Sequence, residues 1–195
     1  MKNLISHGSG ICFSVLLACT PARHAPGYSG ENLNSAIIPP TPAPAAVPVY
    51  DSIQIKFASY LRVNPEDISN LALYHFINRW MYTPYKWGGT DERGIDCSAF
   101  LQKLLQEVYF VNIPRTSILQ FYTEKVEKFA SDRYLKEGDL IFFRTIRNTY
   151  VSHVGLYLQN GMFINSSGTK GVSIASLHDP YWKKRYVAAG RIKTR

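Results

Sequence analysis

Cys97, His153 and Asn165 are the residues whose types and order could do covalent chemistry in this chain. Cys97 sits in "GIDCSAF" (94–100), between an aspartate and a serine and just ahead of an apolar helical run. A free cysteine is usually a small buried hydrophobe. As a nucleophile it needs a base, a group that orients the base, and donors for the oxyanion of a tetrahedral intermediate. Asp96 reads as a helix N-cap with Cys97 in the first turn, where unpaired N–H groups and the helix dipole favour a thiolate over a thiol. The same N–H groups could receive an oxyanion.

The base must come from His75, His153 or His178, because His7 and His24 fall in the N-terminal segment. His75 lies in a helical stretch and His178 in a loop. His153 opens an apolar strand, where a titratable ring is costly unless paired. Such a histidine can equally be a satisfied core residue, and its partner decides. "HVGLYLQNGMFIN" (153–165) runs strand, turn, strand. A two-residue Asn160-Gly161 loop would put Asn165 opposite Leu156, on the face away from His153. A three-residue loop of Gln159, Asn160 and Gly161, with a left-handed Gly161, pairs Leu158 with Met162. That register sets Asn165 opposite Gly155 and diagonal to His153 on one face, with room for the imidazole. A working site requires the three-residue loop. Asn165 would then accept from one ring nitrogen and leave the other for the cysteine. Cys–His–Asn is a functional triad in papain-like enzymes.

The elements that must hold these residues follow from periodicity. "SIQIKFASYLRV" (52–63) and "DISNLALYHFINRWM" (67–81) carry helical apolar spacing, with Pro65 of "NPED" as a helix start. "TPYKWGGTDERG" (83–94) reads as a loop, and "DCSAFLQKLLQEVY" resumes a helix. Strands follow at 139–144, 152–158, 162–165, 172–175 and 186–192. Helices first and strands afterwards predict an α+β domain with a mostly antiparallel sheet of about five strands. No internal repeat is present.

The chain has 195 residues, 46% of them hydrophobic and 13% aromatic, enough for one domain with a real core. Of its three cysteines, Cys12 and Cys19 lie near the N-terminus, so a disulfide inside the domain is excluded. Residues 1–19 read as an export leader with an apolar run too short to span a bilayer, which needs about 20 residues. The run ends in "LLAC", similar to the lipobox of bacterial lipoproteins, in which Cys19 would become the acylated N-terminus. Residues 20–50 are a proline-rich spacer that could reach on the order of 90 Å when extended. The formal charge of +8, concentrated toward the C-terminus, suits an anionic partner. No zinc-finger spacing, RNA-binding signature or helix-turn-helix pattern accompanies it, so nucleic acid is not expected.

"TPYKWGG", "GIDCSAF", "IPRTS", "LKEGDLIFF", "SHVGLYLQNGMFINSS" and "PYWKKRY" occur in this order over about residues 70–195. Together they resemble the successive motifs of the NlpC-type family of cell-wall cysteine peptidases, and especially its small lipoproteins that trim peptidoglycan. The resemblance implies a papain-like α+β fold over residues 51–195, with Cys97 as nucleophile, His153 as general base and Asn165 as the orienting residue, where histidine is the commoner choice. It implies that the Tyr85 hydroxyl lies near the oxyanion and that Asp96, Ser98 and Ser117 line the substrate groove. Ala99 stands where the family usually has glycine. The implied substrate is the stem peptide of peptidoglycan, cut at the γ-D-glutamate–diaminopimelate bond or at the D-alanine–diaminopimelate cross-link. The thiol chemistry needs no metal or other cofactor. The implied protein is a monomer, exported and lipid-anchored in the cell envelope, at the outer membrane in a Gram-negative cell. A catalytically inactive wall-binding lipoprotein of the same fold is the main rival. Lipid-acyltransferase relatives place the histidine ahead of the cysteine, which this order contradicts. The leader argues against an intracellular recycling enzyme.

Overall fold

A computed structural model describes residues 48–193. The leader, Cys19 and most of the proline-rich spacer lie outside the described residues. Helix α1 (Ser52–Leu61) starts at a capping box, in which Asp51 accepts from the Ile53 N–H and Gln54 reaches back to the Asp51 N–H. The chain leaves it through Arg62 in a left-handed conformation. Pro65 opens only a 3-10 turn (Pro65–Asp67), and α2 (Leu71–Trp80) begins four residues later than the apolar pattern implies, capped by Asn70. Two short paired strands, β1 (Thr90–Asp91) and β2 (Gly94–Ile95), sit within the expected loop and lead into α3 (Cys97–Val108). A short α4 (Ser117–Tyr122) follows, capped by Thr116.

The sheet comes next, in strands β3 (Val126–Phe129), β4 (Leu140–Phe143), β5 (His153–Tyr157), β6 (Met162–Ser167), β7 (Gly171–Ser176) and β8 (Tyr186–Ile192). A four-residue helix, α5 (Pro180–Lys183), lies between the last two. The order is β3-β8-β4-β5-β6-β7, and each neighbouring pair is antiparallel. The sheet therefore has six strands rather than five. The extra one, β3, is an edge strand reading Val, Glu, Lys, Phe, with two charged residues between its apolar ends, and so lacks an apolar run.

Alternation along the strands builds two cores. Val154, Leu156, Ile164 and Val172 join Phe57, Leu73, Ile77, Phe100, Leu101 and Leu104 of the helices in the main one. Ile141, Phe143 and Phe163 face the other way and are covered by Leu177 and Trp182. The β7 edge is closed by the chain after α2: Tyr82 N donates to Val172 O and Val172 N to Thr83 O, both at 2.9 Å. Gly171 permits this approach. It has φ +62°, and a Cβ there would stand 2.2 Å from Thr83 O.

The β5–β6 hairpin combines both turns that its sequence allows. Asn160 and Gly161 both have positive φ, and Met162 N donates to Gln159 O at 2.8 Å, as in a two-residue turn. Leu158 N nevertheless donates to Met162 O at 2.9 Å, so Gln159 bulges out of the ladder. Leu156 pairs with Ile164 and Tyr157 with Phe163, the register of the three-residue loop. Continued along the strands, it brings Gly155 opposite Asn165.

Candidate active site

Cys97 is the first residue of α3, and its position is fixed from both sides. Upstream, Ile95 N donates to Pro84 O at 2.9 Å, Asp96 N to Gly89 O at 3.2 Å, and Ser166 Oγ to Ile95 O at 2.7 Å. These contacts tie the loop before the cysteine to β6. Downstream, the Asp96 carboxylate caps the helix by accepting from the Ala99 N–H at 2.8 Å.

That carboxylate does far more than cap. Arg115 grips it in a bidentate pair, Nη1 to Oδ1 at 2.9 Å and Nη2 to Oδ2 at 2.7 Å. Ser98 Oγ donates to Oδ1 at 3.0 Å, and Gly88 N to Oδ2 at 3.0 Å. Five donors thus meet a group with about four lone-pair sites. Burial alone would raise the Asp96 pKa, but Arg115, the Ala99 N–H and Ser98 outweigh it and hold the carboxyl below its ordinary value. Ser98 is also engaged on its other side, accepting from Arg115 Nη1 at 2.9 Å. Both side chains are buried and turned toward each other and Arg115. They build the ground beneath the cysteine, with their polar atoms engaged among themselves and Arg115. Ser117 is half-buried at the start of α4, one residue after its Thr116 cap. Gln120, three residues on, is fully buried and donates to Ser98 O and Pro114 O, each at 2.9 Å. It locks α4 to the first turn of α3.

The base side is built differently. His153 opens β5, and its Nε2 lies 3.1 Å from Asn165 Oδ1 on β6. The Asn165 amide nitrogen donates to Ser173 O on β7 at 3.2 Å, which fixes which end of the amide faces the ring. Since Oδ1 can only accept, Nε2 carries the proton and Nδ1 keeps its lone pair. The Trp182 ring lies against the imidazole at 5.2 Å between centroids and 30° between planes, and Phe143 flanks it at 6.1 Å. His153 is only 6% exposed and Asn165 fully buried. This desolvation drives the imidazole pKa down to about 4, against smaller upward pulls from Asn165 and the Asp96 charge.

The two sides meet at one point of the sheet. The backbone N–H of Val154, next in chain to His153, favours the Cys97 thiolate, as do those of Ser98 and of Cys97 itself. Burial outweighs them, with the Asp96 charge adding to it, and pushes the thiol up to about 11. The expected low thiol pKa is therefore corrected. The helix N-terminus does favour a thiolate, but a cysteine that is 6% exposed and next to a carboxylate loses more by desolvation than it gains. Tyr85, half-buried and joined to Ile95 by a parallel bridge, has its phenol pKa raised by burial and then by the Cys97 and Asp96 charges. The Asp96 field thus acts on Cys97, His153 and Tyr85 alike, which marks them as one cluster. His75, the alternative base, is exposed on α2 beside Asp51.

Sequence reasoning missed Arg115, Gln120 and Trp182. Arg115 and Trp182 lay within noted stretches, "IPRTS" and "PYWKKRY". Neither has a spacing that betrays its contact, since Arg115 meets Asp96 across 19 residues and Trp182 meets His153 across a strand pair.

Comparison with known proteins gives the family. Over 122 residues the chain is 42% identical to a probable endopeptidase NlpC homolog of Haemophilus influenzae, covering 62% of each protein. Over 116 residues it is 38% identical to the murein DD-endopeptidase MepS/murein LD-carboxypeptidase of Escherichia coli K12, covering 60% of this chain and 59% of that one. The match thus spans about three-fifths of each relative's length. A crystal structure of an NlpC/P60 family protein from Bacillus cereus superposes with a TM-score of 0.56 at 29% identity, over 64% of this chain and 40% of that one. The family model for NlpC/P60 matches residues 82–191, which include every side chain of the cluster around Cys97 and His153, and the chain belongs to the NlpC/P60 family.

Proposed function

We propose that this protein is a cysteine endopeptidase that hydrolyses an amide bond in the peptides of bacterial peptidoglycan. The observation that carries the reading is the Ser173–Asn165–His153 relay, which leaves Nδ1 of a buried neutral imidazole as a base beside the strand N–H that faces Cys97. The endopeptidase names of the relatives support the reaction class.

The resting pair is a neutral thiol and a neutral imidazole, so attack and proton transfer are coupled. As the Cys97 sulfur adds to the substrate carbonyl, its proton passes to His153 Nδ1. The oxyanion lies toward the unpaired N–H groups of the first turn of α3 and the Tyr85 hydroxyl. On collapse the C–N bond breaks, the imidazolium gives its proton to the departing amine, and a thioester remains. Water then attacks that thioester with His153 as base and releases the acid and the free thiol. Asn165, a neutral amide, orients the ring throughout.

The bond we favour is the D-alanine–diaminopimelate cross-link, in keeping with the DD-endopeptidase name of the E. coli relative. The "LLAC" leader supports a lipid anchor on Cys19 in the cell envelope. The test is mass spectrometry of purified sacculi and defined muropeptides after incubation with the protein or with Cys97→Ala. Loss of cross-linked dimers with intact tetrapeptides appearing, and neither change with the variant, is the expected result. Dipeptide-bearing fragments would move the cut to the bond after D-glutamate. No change with the folded wild-type protein would overturn the reading.

A further inference from the structure

The segments that frame His153 carry charge of one sign. Arg144 and Arg147 lie in the connection from β4 to β5, which ends at His153 itself. Lys183, Lys184 and Arg185 lie at and just beyond the end of α5, whose Trp182 stacks on the His153 ring. The two segments are joined by the Arg144 N–H, which donates to Arg185 O at 2.8 Å. Arg144, Arg147, Lys183 and Lys184 are exposed and Arg185 is half-buried. None of the five makes an ion pair among the described residues. Within 144–152 and 178–186 the sole acid is Asp179, whose Oδ1 already accepts from the Tyr181 N–H at 2.7 Å. Asp132 and Asp139 lie beyond, around the Tyr186 hydroxyl, and Asp139 is held by Arg191. Arg185 is also ordered, its guanidinium 3.7 Å from the centroid of the exposed Tyr181 ring.

Unpaired cations gathered on two joined segments repel one another. An anionic occupant would relieve that cost. We propose that this rim binds the free carboxylates of wall stem peptides, and so selects acidic peptides over their amidated counterparts. The proposal rests on the function given above and deepens it by naming what the site recognises beside the reacting bond. The α-carboxylate of γ-linked D-glutamate, the side-chain carboxylate of diaminopimelate and a terminal D-alanine carboxylate supply the charge. Continuity with Trp182, which covers the His153 ring, favours a substrate over a lipid surface.

The test measures binding on the Cys97→Ala protein, so that it does not depend on turnover. Calorimetric titration compares a disaccharide-tetrapeptide with free carboxylates and the same compound with its D-glutamate and diaminopimelate carboxyls amidated. The acid form is expected to bind about tenfold more tightly at low salt, with the gap closing as salt shortens the Debye length. Adding Arg144→Gln, Lys183→Gln and Lys184→Gln should remove most of that gap and leave binding of the amidated form unchanged. In the active protein the same three changes should raise KM at nearly constant kcat. Lys103→Gln, on α3 over the Trp80 ring, should alter none of these. A second variant, Arg144→Gln with Arg147→Gln, keeps α5 intact. Equal affinity for both compounds overturns the proposal. So does a triple variant, with an unchanged melting curve, that binds as before or loses only its affinity for phosphatidylglycerol vesicles. Carboxylate-dependent binding without cleavage by the wild type would sink the enzyme reading and leave the rim standing. Cleavage indifferent to the rim would do the reverse.

Discussion

The two flanks of the candidate site solve opposite electrostatic problems. Beneath Cys97 a carboxylate is kept ionised in a buried place by a bidentate guanidinium, a hydroxyl and two backbone donors. Around His153 burial beneath two aromatic rings keeps an imidazole neutral, against a smaller upward pull from one amide. The first flank is polar and saturated, and the second is dry and minimal. Charge placed under Cys97 sets geometry at the expense of thiol acidity. Desolvation around His153 keeps the imidazole deprotonated, with a pKa near 4. Between about 4 and 11 the pair rests with no net charge, so the proton moves when substrate arrives rather than beforehand.

Removing the Cys97 thiol breaks the comparison outright. Cys97→Ala should abolish cleavage of cross-linked muropeptides, by more than about a thousandfold in kcat, as read by chromatography of the products. Resting neutrality has its own signature in the wild type: with the thiol near 11, only about one molecule in ten thousand is thiolate at pH 7. Iodoacetamide should therefore alkylate the free protein slowly, and kcat/KM should be flat at neutral pH, falling only as the imidazole protonates near 4.

Changing the orienting group comes next in size. Asn165→Ala removes the acceptor at Nε2 and should cost about 10- to 100-fold in kcat with little change in KM. Asn165→Asp supplies a charge that favours imidazolium, so the acid limb of the pH profile should move upward from 4. An unmoved limb would mean that the residue at 165 does not set the base.

On the polar flank the larger effect falls on stability. Arg115→Met leaves Asp96 buried with its main cationic partner gone, at about 2–4 kcal/mol, read by denaturant unfolding. Because the folded Asp96 pKa lies below its unfolded value, its contribution is complete above the unfolded pKa, near 4. It fades as pH falls through the lower folded value. The wild type should lose stability across that acid window, and Arg115→Met should lose less of it. The smallest effect is expected at Trp182→Phe, which keeps an aromatic cover but thins it. The His153 titration followed by NMR should rise from about 4 by less than a unit, toward the ordinary imidazole value near 6.5.

The two flanks were unequally legible in the sequence. The base side is written in strand register: Gly155, the Asn160-Gly161 turn and Asn165 lie within a dozen residues of His153, and a period of two leaves few arrangements. The whole of β8 could be read for the same reason, as an apolar run closed at both ends. The nucleophile side is assembled from distance. Asp96 reads as a cap, but nothing local says that Arg115 will seize it or that Gln120 will brace Ser98. The strand β3 escaped notice because an edge needs no apolar run. The direction of the thiol pKa escaped too, since a helix N-terminus is visible in sequence and the depth at which it is buried is not.

The clasp between Tyr82–Thr83 and the β7 edge has a consequence for the order of assembly. The hydrogen bonds that hold the strap leading to Tyr85 span about ninety residues of chain, and loop closure at that separation is late and slow. Cys97 leaves the ribosome long before β5, β6 and β7 exist to frame it. A nascent or truncated chain ending before residue 153 therefore carries a thiol without His153, and one ending before residue 172 still lacks the clasp that holds the strap to Tyr85 and leaves a sheet edge open. On the proposed function, a chain lacking its last third should show none of the cleavage.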